Sequence, residues 1–205
     1  DALSGIDVAT LEILVNGVNR ASIFTLVSGQ ATANLGSADL LDGANQIVAT
    51  VRDIATNEST TSVSFAIDTT PPTMVIGQPV DGARIGSTTT PLILQFSDDQ
   101  QLNLGSFTAS LDGAPVAMSV APDSATGIAA DLSEGAHAFE ASISDRAGNT
   151  TTQLVEFTVD TQVPSIVIDH PAPSFLLPTS TPFVSISYSD AQGVDLTTLR
   201  IELDG

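Results

Sequence analysis

The residues of this chain best equipped for chemistry are carboxylates. Asp68 opens the run Asp68-Thr69-Thr70-Pro71-Pro72-Thr73, Asp98 and Asp99 stand together, and Asp145 begins Asp145-Arg146-Ala147-Gly148-Asn149. Four carboxylates with the Asn149 amide oxygen form an all-oxygen donor set, and a hard cation such as Ca²⁺ takes about six to eight oxygens. Left unpaired, carboxylates held close together repel and raise one another's pKa. Five arginines among 205 residues, with no lysine, are too few to relieve that repulsion everywhere. Calcium is therefore the expected partner if folding gathers these side chains.

The elements that must position them repeat. Asp68 and its joint return 92 positions on as Asp160-Thr161-Gln162-Val163-Pro164-Ser165, and Asp53-Ile54-Ala55-Thr56-Asn57 returns 92 positions on at Asp145–Asn149. Proline fixes φ and lacks a donor, so each joint reads as a stiff extended link between strands. The stretches Asp1–Gly17, Asp98–Gly113 and Asp190–Gly205 share a third pattern: an acidic loop, an alternating strand, then Asn-Gly or Asp-Gly. That dipeptide is a hairpin-turn signal. A period near 90 residues suits a single β-sandwich. The chain thus divides into the later part of one module (1–69), a complete module (70–161) and the opening part of a third (162–205), and reads as a window on a longer protein.

Within 70–161 the strands are expected at Met74–Gly77, Pro91–Phe96, Ser106–Leu111, Ala114–Val120, Gly127–Leu132, Ala136–Ser144 and Thr151–Val159. Apolar and polar residues alternate in most of them, turn signals separate them, and no helical period intervenes. The fold class is all-β: tandem immunoglobulin-like Greek-key sandwiches of about seven strands per module. In such a sandwich the loops after strands two, four and six share one end with the start of strand one. The first joint should therefore gather Asp68 with Asp98, Asp99, Asp145 and Asn149, with Asn103 farther off. The second would use Asp160, Asp190 and Asp195. At the leading edge Asp1, Asp7, Asp53 and Asn57 would form a site without its incoming joint. Asp, Asn and Gly at 145–149 also suit a tight turn with no metal.

Composition narrows the function. A net charge of −19 leaves no basic patch for phosphates, so nucleic acid and anionic membrane surfaces are poor partners. No apolar run approaches the ~18 residues of a membrane-spanning helix. Cysteine is absent, so no disulfide holds the modules, and tryptophan is absent with a single tyrosine, which argues against an aromatic sugar platform. His137 and His170 are the only histidines and carry no zinc-like spacing. The acids recur with the module, as structural ligands do, whereas a catalytic pair needs to occur once. The chain is read as non-enzymatic.

The Asp-x-Ala-Gly-Asn loop before a last strand, followed by Asp-Thr-Thr-Pro-Pro, resembles the tandem bacterial immunoglobulin-like repeats of large secreted adhesins and cell-surface proteins. The resemblance spans essentially the whole chain. It implies export to the cell surface and a stalk or filament spacer rigidified by calcium between modules. Partners are then neighbouring modules of the same chain, or other chains in a lateral filament. Thr56 stands where the pattern has Gly148, and Gln162-Val163 stand where it has Thr70-Pro71. The alternatives are a module that grips a glycan or protein ligand, and an accessory spacer of a secreted polysaccharide-degrading enzyme. An apolar patch exposed on one sheet face of 70–161 would favour the first of these.

Overall fold

A computed structural model describes residues 5–27, 29–173 and 176–203. Its described elements are seventeen strands and two 3-10 turns, and no helix is long and apolar enough to cross a membrane. The chain divides into two compact units. One holds Asp1–Thr73, Phe96–Phe107 and Ser142–Thr151; the other holds Met74–Gln95, Thr108–Ala141 and Thr152–Gly205.

In the first unit β1 (Ile6–Val15), β2 (Val18–Asn19), β5 (Gly43–Asp53) and β6 (Glu58–Ile67) form one sheet in the order β2-β1-β5-β6, while β3 (Thr25–Val27) and β4 (Gln30–Thr32) form a separate hairpin. The β1–β2 turn is Asn16-Gly17, with φ of 51° and 79°. Positive φ at both central residues matches the right-handed twist of the strands it joins. Ile13 and Val15 are buried on one face of β1. The segments from the central strands add Phe96 against Phe107, their ring centroids 5.9 Å apart, and the buried Ile143.

Nine strands lie between residues 73 and 159: β7 (Thr73–Gln78), β8 (Ala83–Ile85), β9 (Thr90–Ser97), β10 (Leu102–Leu111), β11 (Ala114–Pro115), β12 (Ser119–Val120), β13 (Ser124–Ala129), β14 (Gly135–Asp145) and β15 (Thr150–Val159). They form two sheets, β12-β13-β9-β7 and β11-β10-β14-β15-β8. Successive strands change sheet five times between β7 and β14, which is the Greek-key order of an immunoglobulin-like sandwich. Two short strands replace the expected continuous Ala114–Val120. A strand absent from the sequence reading, β8, pairs parallel with β15. The apolar run at Pro91–Phe96 alternates in burial: Leu92, Leu94 and Phe96 are buried while Pro91 and Ile93 face outward. Leu92 and Leu94 of β9, Ala125 and Ala129 of β13, Phe139 and Ala141 of β14, and Phe157 and Val159 of β15 make the core of the second unit. These are mostly small or medium aliphatic groups closing on two phenylalanines.

The last strands, β16 (Ser165–His170) and β17 (Ser185–Ser189), form an antiparallel pair. The alternating strand expected after Asp190 does not form among the described residues. Leu196–Thr198 is instead a 3-10 turn, and no neighbouring strand offers residues 199–203 a ladder; the Asp204-Gly205 turn and Asp1 lie outside the described residues.

Histidine at position 137 and asparagine at position 45 prove to be the same structural part. Asn45 donates to the Leu41 carbonyl at 2.7 Å, and its oxygen accepts from Asn16, the first turn residue, at 2.8 Å. His137, buried, pairs Nε2 with the Ser133 carbonyl at 2.8 Å and Nδ1 with Asp112 Oδ2 at 2.7 Å, Asp112 being the first residue of the β10–β11 turn. Both partners are acceptors, so both ring nitrogens donate only when the ring is an imidazolium. Burial pushes His137 down, but the bonds to Ser133 and Asp112 outweigh it and raise the pKa. Burial pushes Asp112 up, and bonds from Ala138 and His137 more than reverse this. A raised histidine stabilises the fold fully below its unfolded pKa of ~6.5 and loses that contribution as pH climbs through the folded value. The denaturant midpoint should therefore fall as pH rises above about 6.5. His137→Asn, the residue of the sister position, should flatten that decline, and an equally steep decline in the variant would contradict the imidazolium.

Candidate metal centre

Asp145 ends β14 and organises the loop that follows. Its Oδ1 accepts from the backbone N–H of Gly148 at 2.6 Å and of Asn149 at 2.9 Å, while Oδ2 accepts from Asn149 Nδ2 at 2.7 Å. The Asp145 N–H donates to the Asn149 carbonyl at 3.0 Å, and the Arg146 N–H reaches the Gln101 carbonyl at 2.9 Å. Gly148 supplies φ of 100° at the tip, where any side chain would be strained. The loop is thus built around one buried carboxylate and tied to the neighbouring acidic loop.

That loop then holds the joint. Asn149 Nδ2 also donates to the Asp68 carbonyl at 3.1 Å. Thr151 Oγ1 donates to the Pro72 carbonyl, and Thr73 Oγ1 lies 2.8 Å from Ser97 Oγ. Asp68 and Asp98 each close a local turn, accepting from the N–H of Thr70 at 3.1 Å and of Gln100 at 3.0 Å. As a result Asp68, Asp98 and Asp145 each place one carboxylate oxygen within 4.8 Å of the others. Asp98 Oδ2 is buried and receives no hydrogen bond from the described residues. An unsatisfied buried anionic oxygen is costly and is the natural place for a cation.

Electrostatics within the group are uneven. Desolvation, then the charges of Asp145, Asp98 and Asp99, raise the Asp68 pKa against the opposing bond from Thr70. Burial acts upward on Asp145 too, but the bonds from Asn149, Gly148 and Ala147 prevail and hold it below the usual carboxylate range. Asp145 is thus the fixed negative charge and Asp68 the one that suffers from it. Asp99 is exposed and contributes field. Asn149, expected as an amide-oxygen ligand, instead enters through its nitrogen, which bridges Asp145 and Asp68. Asn103 is exposed, and its carbonyl accepts from Ser106 Oγ at 2.7 Å.

The other expected sites share the loop chemistry without converging. Asp53 accepts from the Asn57 N–H at 2.8 Å and from Asn57 Nδ2 at 2.7 Å, the same hub as Asp145 with Thr56 in the glycine's place at φ of 71°. Asp7 accepts from the Ala9 N–H at 3.0 Å. Asp160 and Asp190 accept from the N–H groups of Gln162 at 3.3 Å and Gln192 at 2.8 Å, the turns of Asp68 and Asp98 again. Asp195 caps the 3-10 turn, receiving the Thr197 N–H at 2.9 Å and its hydroxyl at 2.6 Å. Among the described residues, Asp68 with Asp98 and Asp145 is the one group of three that converges.

Two acids went unnoticed in the sequence. Asp42 accepts from Thr69 Oγ1 at 3.1 Å and Thr70 Oγ1 at 3.2 Å. Glu134, 92 positions on, accepts from the Thr161 N–H at 3.1 Å and from its hydroxyl, bonds that hold its carboxyl below the usual range. Each joint is clipped by its leading threonine to the carboxylate before the penultimate strand. The repeat spacing was the available signal, but Asp and Glu do not align by identity.

No family model and no curated protein matches the chain. Among solved structures it is similar to fibronectin(III)-like modules of Clostridium thermocellum CbhA, at 15% identity and a TM-score of 0.37 over 78% of this chain and 80% of that one. Domains of titin give 12% and 0.38 over 78% and 60%. Protocadherin gammaB7 gives 14% and 0.40 over 78% of this chain and 43% of that one. The strand order described above, rather than these likenesses, carries the fold. For the loop itself the expected result of Gly148→Ala is a loss of about 1–2 kcal/mol, from forcing a Cβ into the left-handed region. Denaturant titration measures it; an unchanged midpoint would mean the tip relaxes freely.

Proposed function

We propose that this chain is a non-enzymatic spacer of an extracellular bacterial surface protein, its sandwiches chained in series and stiffened by calcium at the joint led by Asp68. The observation that carries the reading is the convergence of Asp68, Asp98 and Asp145, drawn from a linker and two separate loops, together with an Asp98 Oδ2 left unsatisfied among the described residues. Those three would hold the cation, and a hard divalent ion would supply the charge that offsets their repulsion. Asn149 positions the linker, and Asp145 is spared for ligation only in part because it also organises its loop. Thr69 and Thr70, clipped to Asp42, keep the linker extended while Asp68 reaches across. The acidic surface and the resemblance of the joint to surface-protein repeats support the export and stalk part of this reading.

Calcium at about a hundred times its Kd should stabilise the folded chain by about 2.7 kcal/mol, read as a rise in thermal midpoint. Asp68→Asn with Asp98→Asn should abolish the rise and should broaden the small-angle scattering profile in calcium to that of wild type in chelator. Asp145 is unsuitable for this test because its loss would also dismantle the loop. A rise that survives both substitutions, or a wild-type profile indifferent to chelator, would remove calcium from the joint.

A second reading, a module that binds a protein ligand, is favoured by the outer face of the β12-β13-β9-β7 sheet, where Val75, Ile93 and Ile128 are exposed beside Pro91. Immobilised wild type and an Ile93→Glu, Ile128→Glu variant, compared on the same protein and glycan arrays, separate the two. Shared hits place any binding elsewhere, and hits lost in the variant support this face.

A further inference from the structure

We propose that Met118 is an oxidant-sensitive latch on the β12 edge of the second unit, which a peroxide opens by converting its thioether to the sulfoxide. Cysteine and tryptophan are absent from the chain, and methionine occurs twice. The thioethers are then the groups most readily oxidised by two electrons. Met74 is 5% exposed and Met118 is half-buried, so a dissolved oxidant reaches one sulfur and is kept from the other. A change confined to the surface shifts stability little, but Met118 belongs to the packing.

β12 is two residues long and, among the described residues, bonds only to β13. Its register sets Ser119 opposite Thr126 and Val120 opposite Ala125, and the Ala121 N–H closes the turn on the Ser124 carbonyl at 2.8 Å. Continued by one step, this register brings Met118 opposite Gly127. β13 in turn pairs Ala125 with Leu94, Gly127 with Leu92 and Ala129 with Thr90. Those three partners on β9 are buried, as are both alanines, so Gly127 leaves a gap on the core face between two small side chains. Met118 fills it: an ideal Cβ at Gly127 would lie 2.5 Å from the Met118 sulfur and 3.0 Å from the Ala117 carbonyl oxygen. A flexible thioether suits an irregular gap, and here it backs a strand held by two register pairs and one turn bond. Oxidation spoils the fit. With hydrogen peroxide, the sulfur lone pair attacks one oxygen, the O–O bond breaks, an S–O bond forms and water leaves; sulfur is oxidised by two electrons and the peroxide reduced. The new oxygen is a hydrogen-bond acceptor, and the Ala117 carbonyl beside the same gap, itself an acceptor, cannot satisfy it. Burying an unsatisfied polar group is unfavourable, so the side chain leaves its seat and β12 frays from β13.

Trypsin separates the two methionines, since Met74 falls in the peptide ending at Arg84 and Met118 in the one ending at Arg146. The folded full chain is treated with hydrogen peroxide in the presence of chelator, and the gain of one oxygen in each peptide is followed by mass spectrometry. The Met118 peptide should be oxidised first. At that stage the thermal midpoint should fall and hydrogen exchange should rise over residues 118–126, and methionine sulfoxide reductases should restore both. Met118→Leu keeps an apolar filler without sulfur, so its midpoint should not respond to peroxide, whereas Met74→Leu should respond as wild type does. Gly127→Ala, whose Cβ takes the place of the sulfur, should show the raised exchange with no oxidant present. Oxidation of both methionines at one rate, a midpoint and exchange unmoved once Met118 is oxidised, or a response that survives in Met118→Leu would each overturn the proposal. So would a response lost in Met74→Leu, or a Gly127→Ala variant that exchanges as wild type does.

Discussion

A buried carboxylate must be satisfied by donors, and Asp145 satisfies itself by folding five residues around its two oxygens. Nearly everything at the joint depends on that act. The bonds to Gly148 and Asn149 fix the end of the β14–β15 hairpin. Asn149, held by Asp145, is thereby aimed at the Asp68 carbonyl. Arg146 is tied to the loop carrying Asp98. One side chain therefore sets the separation of two loops and a linker, and the crowding of three acids is the consequence. The depressed pKa of Asp145 and the raised pKa of Asp68 are two sides of this arrangement: the donors go to the first, while the second is desolvated and then meets the charges of Asp145, Asp98 and Asp99.

Much of this was legible in the residues. The Asn16-Gly17 and Asp112-Gly113 turns declared both hairpins, because few other pairs tolerate positive φ twice in succession. The 92-residue period located equivalent loops before any contact was known, and Greek-key connectivity then brought Asp68, Asp98 and Asp145 to one end. What stayed hidden depended on direction rather than position. Sequence cannot tell which end of the Asn149 amide faces the site, nor that Asp195 turns back to cap its own 3-10 turn. β8 was missed because three residues, Ala83–Ile85, give no period to read. The strand expected after Asp190 failed for the opposite reason: its alternation is real, but alternation yields a strand only where a neighbour supplies the ladder.

The repeat conserves geometry more faithfully than chemistry. Asn16 with Asn45 and Asp112 with His137 span the same turn and the same buried strand end, the first pair neutral, the second ionised. Asp42 and Glu134 grip the same joint threonine with side chains of different length. Thr56 occupies the left-handed tip where Gly148 sits without strain. Each substitution preserves a bond's endpoints while altering what the bond responds to: proton concentration in one case, backbone strain in another.

The parallel pairing of β8 with β15 has a mechanical meaning. Ala83, Arg84 and Ile85 face Phe157, Thr158 and Val159 with both strands running the same way. A tensile load that enters at the start of this segment and leaves at its end pulls these two strands in opposite senses along their length. The bonds between them are then sheared together, instead of being peeled apart one after another as in a hairpin opened from its free end. For a chain of sandwiches under tension, this short strand is the clasp on which the rupture force of the segment turns.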